Sequence, residues 1–386
     1  MSGEAVDGSV TPREREPMTT TDDVVPIRIS GPAGLLATVP SMLGFHPTKS
    51  LVLLCLSGDR RRVGPVARVD LPQGHDRAMA AHLTGHALRH ADEVVVVSHQ
   101  DSRRRPPLLD DLLTELARAG VDVLDAIVVR GGRARPALSA AMERSHPGIP
   151  LPDANDPTVR ALSAAGALAG RSVLADRGEL RKSIAGPTGE RLLAADHGID
   201  EAAAGRTGRG PDGHLPAADG RPTGPSDPPE PVPQPGWVPD PVSALVELAF
   251  TQVVRSGQVA VEVATSLAVE LTDVLVRDAI LVTAMAEVDR PWLPALIACA
   301  TWIPDPMAPP LCSVLAMVAY RHGDGALAQV AVDRCLAAEP GHRLARTMIA
   351  IMAAGIRPEE LERIASATGS SPPSEPDPEQ PDEQRP

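Results

Sequence analysis

The sequence predicts an α/β domain, a mixed sheet with flanking helices, followed by an all-α helical array. Three observations carry this prediction. Apolar runs of strand length alternate with helix-period segments up to Ile184. Beyond Pro241 only a 3.6-residue period remains, and a stretch of 37 residues from Gly205 to Pro241, 18 of them Gly or Pro, separates the halves.

In the first half, Val25 to Ile29 reads as a strand and Pro32 to Leu43 as a helix that places Pro32 in its first turn. Ser50 to Leu56 and Val63 to Leu71 are apolar runs joined by Ser57-Gly58-Asp59 and three arginines, which predicts a hairpin. Arg77 to His90 is helical, Glu93 to Ser98 is a buried strand, Pro107 to Ala119 is an amphipathic helix, and Asp122 to Arg130 is a further strand. Thr158 to Leu168 and Asp176 to Ile184 read as two closing helices.

The second half predicts helices at 241–255, 258–273, 275–287, 291–301, 308–321, 324–338, 341–354 and 358–365. Leu315-Ala316, Ala319-Tyr320, Gly323-Asp324, Ala328, Ala331, Leu336-Ala337 and Pro340 follow the pattern of one tetratricopeptide-like helix pair, in which small residues permit close approach. Ordinary helix-pair packing explains the same residues. The division that follows is an acidic tail at 1–23, an α/β domain at 24–195, a Gly/Pro-rich linker at 196–241, a helical domain at 242–365 and a Pro-rich acidic tail at 366–386.

The net charge of -13 is carried by the tails and linker, because 1–23, 196–241 and 366–386 contribute -4, -5 and -4. The α/β domain is then +5 and the helical domain -5. Lys49 and Lys182 are the only lysines among 37 basic residues, so arginine clusters reflect coding bias more than nucleic-acid binding. Aromatic residues make up 2% of the chain, which removes the stacking platforms of single-strand binders. No nucleic-acid partner is expected. The start of the chain has no apolar run that would serve as a signal peptide, and prolines break the most apolar region, Pro291 to Tyr320, so a cytoplasmic protein with no membrane partner is expected. Cys55, Cys299, Cys312 and Cys335 lie in apolar stretches without ligand spacing and read as buried thiols.

The run Ser30-Gly31-Pro32-Ala33-Gly34-Leu35-Leu36-Ala37, then Val39-Pro40, Leu43-Gly44-Phe45-His46-Pro47 and Ser50-Leu51-Val52, resembles the actinobacterial domain-of-unknown-function family 4192. The likeness continues in Ala67-Arg68-Val69-Asp70-Leu71-Pro72, the strand ending at Val97, Val123-Leu124-Asp125-Ala126 and Ala169-Gly170-Arg171, and Leu315 to Ala345 is similar to the helical end of such proteins. The resemblance implies no activity. Gly34 stands where family members usually carry Asp, and no cysteine cluster follows Arg130, so a metal or redox role tied to that cluster is not carried over.

Candidate chemistry gathers first in His46, Thr48, Lys49 and Ser50, where imidazole, hydroxyl and ammonium groups join a helix to a strand and form a candidate anion site. It lacks the Gly-rich turn of a phosphate loop, and a turn that satisfies its own backbone is the simpler reading. Arg68 and Asp70 project from one face of a strand, as a polar ligand site or, more simply, as a salt bridge. Arg103, Arg104 and Arg105 follow a strand where a parallel sheet opens its crevice, although a solvated loop is the simpler reading. His82, His86 and His90 form a stripe along a helix, read as a solvated face rather than a metal site. No cofactor is expected and no catalytic set is assignable. The sequence therefore points to a non-enzymatic protein- or ligand-binding protein, regulatory or scaffold, with another protein on its helical domain or a small anionic ligand as partner. The alternative is an enzyme or nucleotide/anion sensor that uses the α/β domain.

Overall fold

The computed structural model describes residues 31–168, 172–207 and 238–358, with 360, 361 and 363. The expected strand at Val25 to Ile29, both tails and half of the helix at 358–365 lie outside the described residues.

The α/β part runs α1 (Gly31–Leu43), β1 (Ser50–Ser57), β2 (Arg62–Asp70), α2 (Arg77–His90), β3 (Glu93–His99), α3 (Pro107–Ala119), β4 (Asp122–Arg130), β5 (Arg133–Pro136), α4 (Ala140–Ser145), β6 (Ile149–Pro150), α5 (Pro157–Leu168), α6 (Arg177–Ser183) and α7 (Glu190–Thr207). The helical part runs α8 (Asp240–Ser256), α9 (Val261–Glu270), α10 (Val274–Ala286), α11 (Trp292–Ala300), a 3-10 turn (Asp305–Met307), α12 (Ala308–Arg321), α13 (Gly325–Ala338) and α14 (Arg343–Ala354).

The six strands form one mixed sheet in the order β2-β1-β3-β4-β5-β6. Only β3 and β4 are parallel, joined through α3, and the other neighbours are antiparallel. The apolar runs of β1 and β3 are buried on both faces because each has a strand on either side and a covered layer above and below. Helix α3 packs through Leu108, Leu109, Leu112 and Leu116 and stops at Gly120, whose φ of +74° suits glycine.

One sheet face, carrying Leu51, Leu53, Val94, Val96 and Val128, packs on α2 and α3. The other, carrying Val52, Leu54, Val95, Val97 and Ile127, belongs to a hydrophobic cluster that runs without a break into α8, α9, α11, α12 and α13. The helical region thus shares one continuous core with the sheet. Helix α7 covers 196–207, the start of the segment expected as linker, and docks on α9 so closely that a Cβ at Gly198 would stand 2.7 Å from Thr265 Oγ1. Its Ala, Leu and Glu content sustains the helix through Gly198; of the rest of that segment, 208–237 lie outside the described residues and 240–241 open α8.

Arg334 ties the two parts together. Its guanidinium donates to the carbonyls of Ile184, Ala300 and Ile303, and its Nε meets Asp305 at 3.0 Å. All four cysteines are unpaired and buried, and burial raises their thiol pKa values to about 11 for Cys55 and Cys312 and about 12 for Cys299 and Cys335. Among the described residues, no helix is long and apolar enough to cross a membrane.

Candidate functional site at one end of the sheet

Ser50 opens β1 directly opposite Asp70 of β2 on one side and His99 of β3 on the other. Opposed residues on neighbouring strands share a face, so Asp70, Ser50 and His99 form a polar row. Arg68 pairs with Val52 and lies two residues inward of Asp70 on the same face. This face is the one that carries the helical region.

Ser50 is fully buried, and its Oγ, Arg68 Nε and His99 Nε2 have no hydrogen-bond partner among the described residues. Ser98 on the opposite face and Gln100 just past the strand add an unpartnered hydroxyl and an unpartnered amide. Each such group costs about 1–3 kcal/mol, so a concentration of them at one sheet end calls for an explanation.

Charge in the row is asymmetric. Arg68 Nη2 meets Asp70 at 2.6 Å, while Arg177, the first residue of α6, reaches Asp70 at 3.5 Å and Asp333 of α13 at 3.2 Å. The guanidiniums are turned inward, 12% and 19% exposed, whereas Asp70 is 69% exposed. Burial, then the nearby Arg68 and Arg181, lower the Arg177 pKa against the pull of Asp333 and Asp70. Burial, then Arg68 and His46, bring His99 down to about 4, so its ring is neutral at neutral pH and offers one donor and one acceptor.

The sequence-predicted residues divide. Ser50, Arg68 and Asp70 belong to the row. His46, Thr48 and Lys49 form its exposed lip, held by His46 N donating to Leu174 O at 3.1 Å and Leu71 N to Lys49 O at 2.9 Å. Lys49 has a φ of +44° and pairs with Asp101 at 3.5 Å, both side chains about three-quarters exposed, an ion pair of little energetic weight. Arg103 and Arg104 lie exposed on the loop beyond β3, which Arg130 of β4 holds by donating to the carbonyls of Ser102 and Arg103.

Two expectations need correction. Arg105 does not face a crevice; it is spent on Asp110 at 2.6 Å, Glu143 at 3.0 Å and Ala137 O at 2.8 Å, which fix the start of α3 against α4. The histidine stripe of α2 is not solvated along its length, because His86 is buried at a contact with the end of α14.

Sequence reasoning missed His99, Gln100, Arg177 and Asp333. The first two carried a signal, the switch from valine to polar residues at the end of β3. Arg177 and Asp333 come from separate helices and carried none. A hollow of about 550 Å³ lies elsewhere, between α7, α8 and α9, lined by Ala202, Leu245, Leu248, Glu262 and Glu270.

These features define a class: a mixed-sheet unit with a polar sheet end, braced by helices that share its core. The chain belongs to the family described as Domain of unknown function (DUF4192), whose match spans residues 32–359 and so takes in the helical region as well as the sheet. No curated protein and no solved structure matches the chain.

Proposed function

We propose that this chain is a non-enzymatic cytoplasmic binding protein, regulatory or scaffold in role, which takes a small anionic ligand at the sheet end. One observation carries the reading: two inward-turned guanidiniums, Arg68 and Arg177, share the exposed Asp70 beside the unpartnered Ser50 hydroxyl and His99 imidazole. In this reading Asp70 holds the place of a ligand carboxylate or phosphate. An incoming anion takes over its guanidinium contacts and gains hydrogen bonds from groups that have none.

The residue types also fit an acyl-transfer relay, but their order opposes it. Asp70 flanks Ser50 rather than His99, and no hydrogen bond joins Ser50 Oγ to the ring. Four buried, unpaired thiols support a reducing compartment. The helical region, with the tetratricopeptide-like pattern on α12 and α13, is the surface proposed for a partner protein. Neither nucleic acid nor membrane belongs to this reading. A thermal-shift screen of the full chain against nucleotides, phosphorylated metabolites, carboxylates and divalent metals tests it. An anion that stabilises the native state supports the reading, and a screen in which only metals act defeats it.

A further inference from the structure

Helix α2 presents His82, His86 and His90 at successive four-residue steps. His82 is exposed, but His86 is only 8% exposed and its buried Nε2 has no hydrogen-bond partner among the described residues, while the His90 ring faces the backbone of Gly355. The two rings lie 4.7 Å apart, centroid to centroid, at 53°. What covers them is the end of the helical region. Gly355, the left-handed cap of α14 at φ +65°, sits so close that a Cβ there would stand 2.5 Å from His90 Nε2 and 2.9 Å from His86 Nδ1. Tyr320 of α12 secures the same turn by donating to Ile356 O.

The charged groups around this contact are mostly of one sign. Helix α2 contributes Arg89 and His82, and the chain beyond α14 contributes Arg357 and Glu360, which pair with each other at 3.2 Å. A proton added to either ring therefore creates a cation in this contact beside Arg89, and for His90 beside Arg357 as well.

We propose that this contact is a proton-sensitive latch: with His86 and His90 neutral it holds the Gly355 end of the helical region against α2, and their protonation releases it. Burial, then His90, Arg89 and His82, lower His86 to about 4, while burial, Arg89 and Arg357 lower His90 against Glu360 and the backbone carbonyl of Gly355, which accepts from the ring. Because the docked values lie below the ordinary 6.5, the contact is at full strength above that pH and weakens as pH falls. At pH 5, His86 alone weakens it by at most about thirtyfold, the limit in which the released ring regains 6.5, since His90, Arg89 and His82 share its helix in both states. The latch is independent of the anion site.

Amide hydrogen exchange of the full chain, corrected for intrinsic rates, tests the latch between pH 8 and pH 5. Protection of residues 343–358 falls by at least tenfold while that of α3 holds, and the His86→Gln/His90→Gln variant loses this pH dependence. Equal protection at both pH values, or the same dependence in that variant, overturns the proposal. Should the double variant fail to fold, exposed Arg357→Gln serves instead, because Arg357 faces His90 only when the contact is made. Its loss lifts the docked His90 value toward the ordinary one and moves the release to lower pH, and an unmoved midpoint overturns the latch as surely.

Discussion

Ser50 and His99 face one another across β1 and β3, both with buried polar atoms, and no hydrogen bond joins them. A hydroxyl held in this way stabilises nothing in the folded chain. Ser50→Ala is therefore expected to raise stability by about 1 kcal/mol, because it removes a buried group without a partner. Urea denaturation reads the change, and a loss of more than about 1 kcal/mol shows that Ser50 serves the fold.

Arg334 presents the opposite case. Its side chain is 10% exposed and satisfies three carbonyls from α6, α11 and the turn after α11. Arg334→Met strands those acceptors and is expected to cost about 3 kcal/mol, seen as a lower urea midpoint with an unchanged slope. A cost under about 1 kcal/mol contradicts the clamp.

Lys49 is at the lip rather than in the row. Its ion pair with Asp101 joins two exposed side chains, so Lys49→Met shifts stability by no more than about 0.5 kcal/mol. A change in ligand response without a change in stability assigns the ammonium a part in binding; an unchanged response removes it from the site.

The continuous core makes a further prediction about the halves. A specific protease site inserted after Gly220, once cut, is expected to leave two pieces that co-elute in size exclusion at micromolar concentration. The apolar face of β1, β3 and β4 shares one hydrophobic cluster with α1, α6 and the helical region, so separation would expose it to water. Separate elution of the pieces argues against one shared core.

Much of this architecture was legible. The valine run of β3, the leucine spacing of α3 and the Gly-Asp turn between β1 and β2 place their elements because local periodicity and turn chemistry act over a few residues. The short pairings of β5 and β6 were not, since Arg133–Pro136 and Ile149–Pro150 have no strand pattern and owe their state to the edge of β4. Helix α7 was hidden by its glycines, one of which exists to let Thr265 approach. At the site, Arg68 and Asp70 were legible as an i, i+2 pair. Arg177 and Asp333 meet them only because α6 and α13 dock at the sheet end, a long-range fact that no window of sequence contains.

An anion bound at the sheet end would sit beside His99, and the protonation of that ring reports its presence. Its pKa, about 4 in the free protein, is held down by burial, Arg68 and His46. Nuclear magnetic resonance of the ring is followed against pH, with and without the anion that most raises thermal stability. A bound anion offsets the arginine field and favours the imidazolium, so the His99 pKa is predicted to rise by about 1 unit or more, with no rise in an Arg68→Met variant. A titration that leaves His99 unmoved while the anion still stabilises the protein contradicts the account.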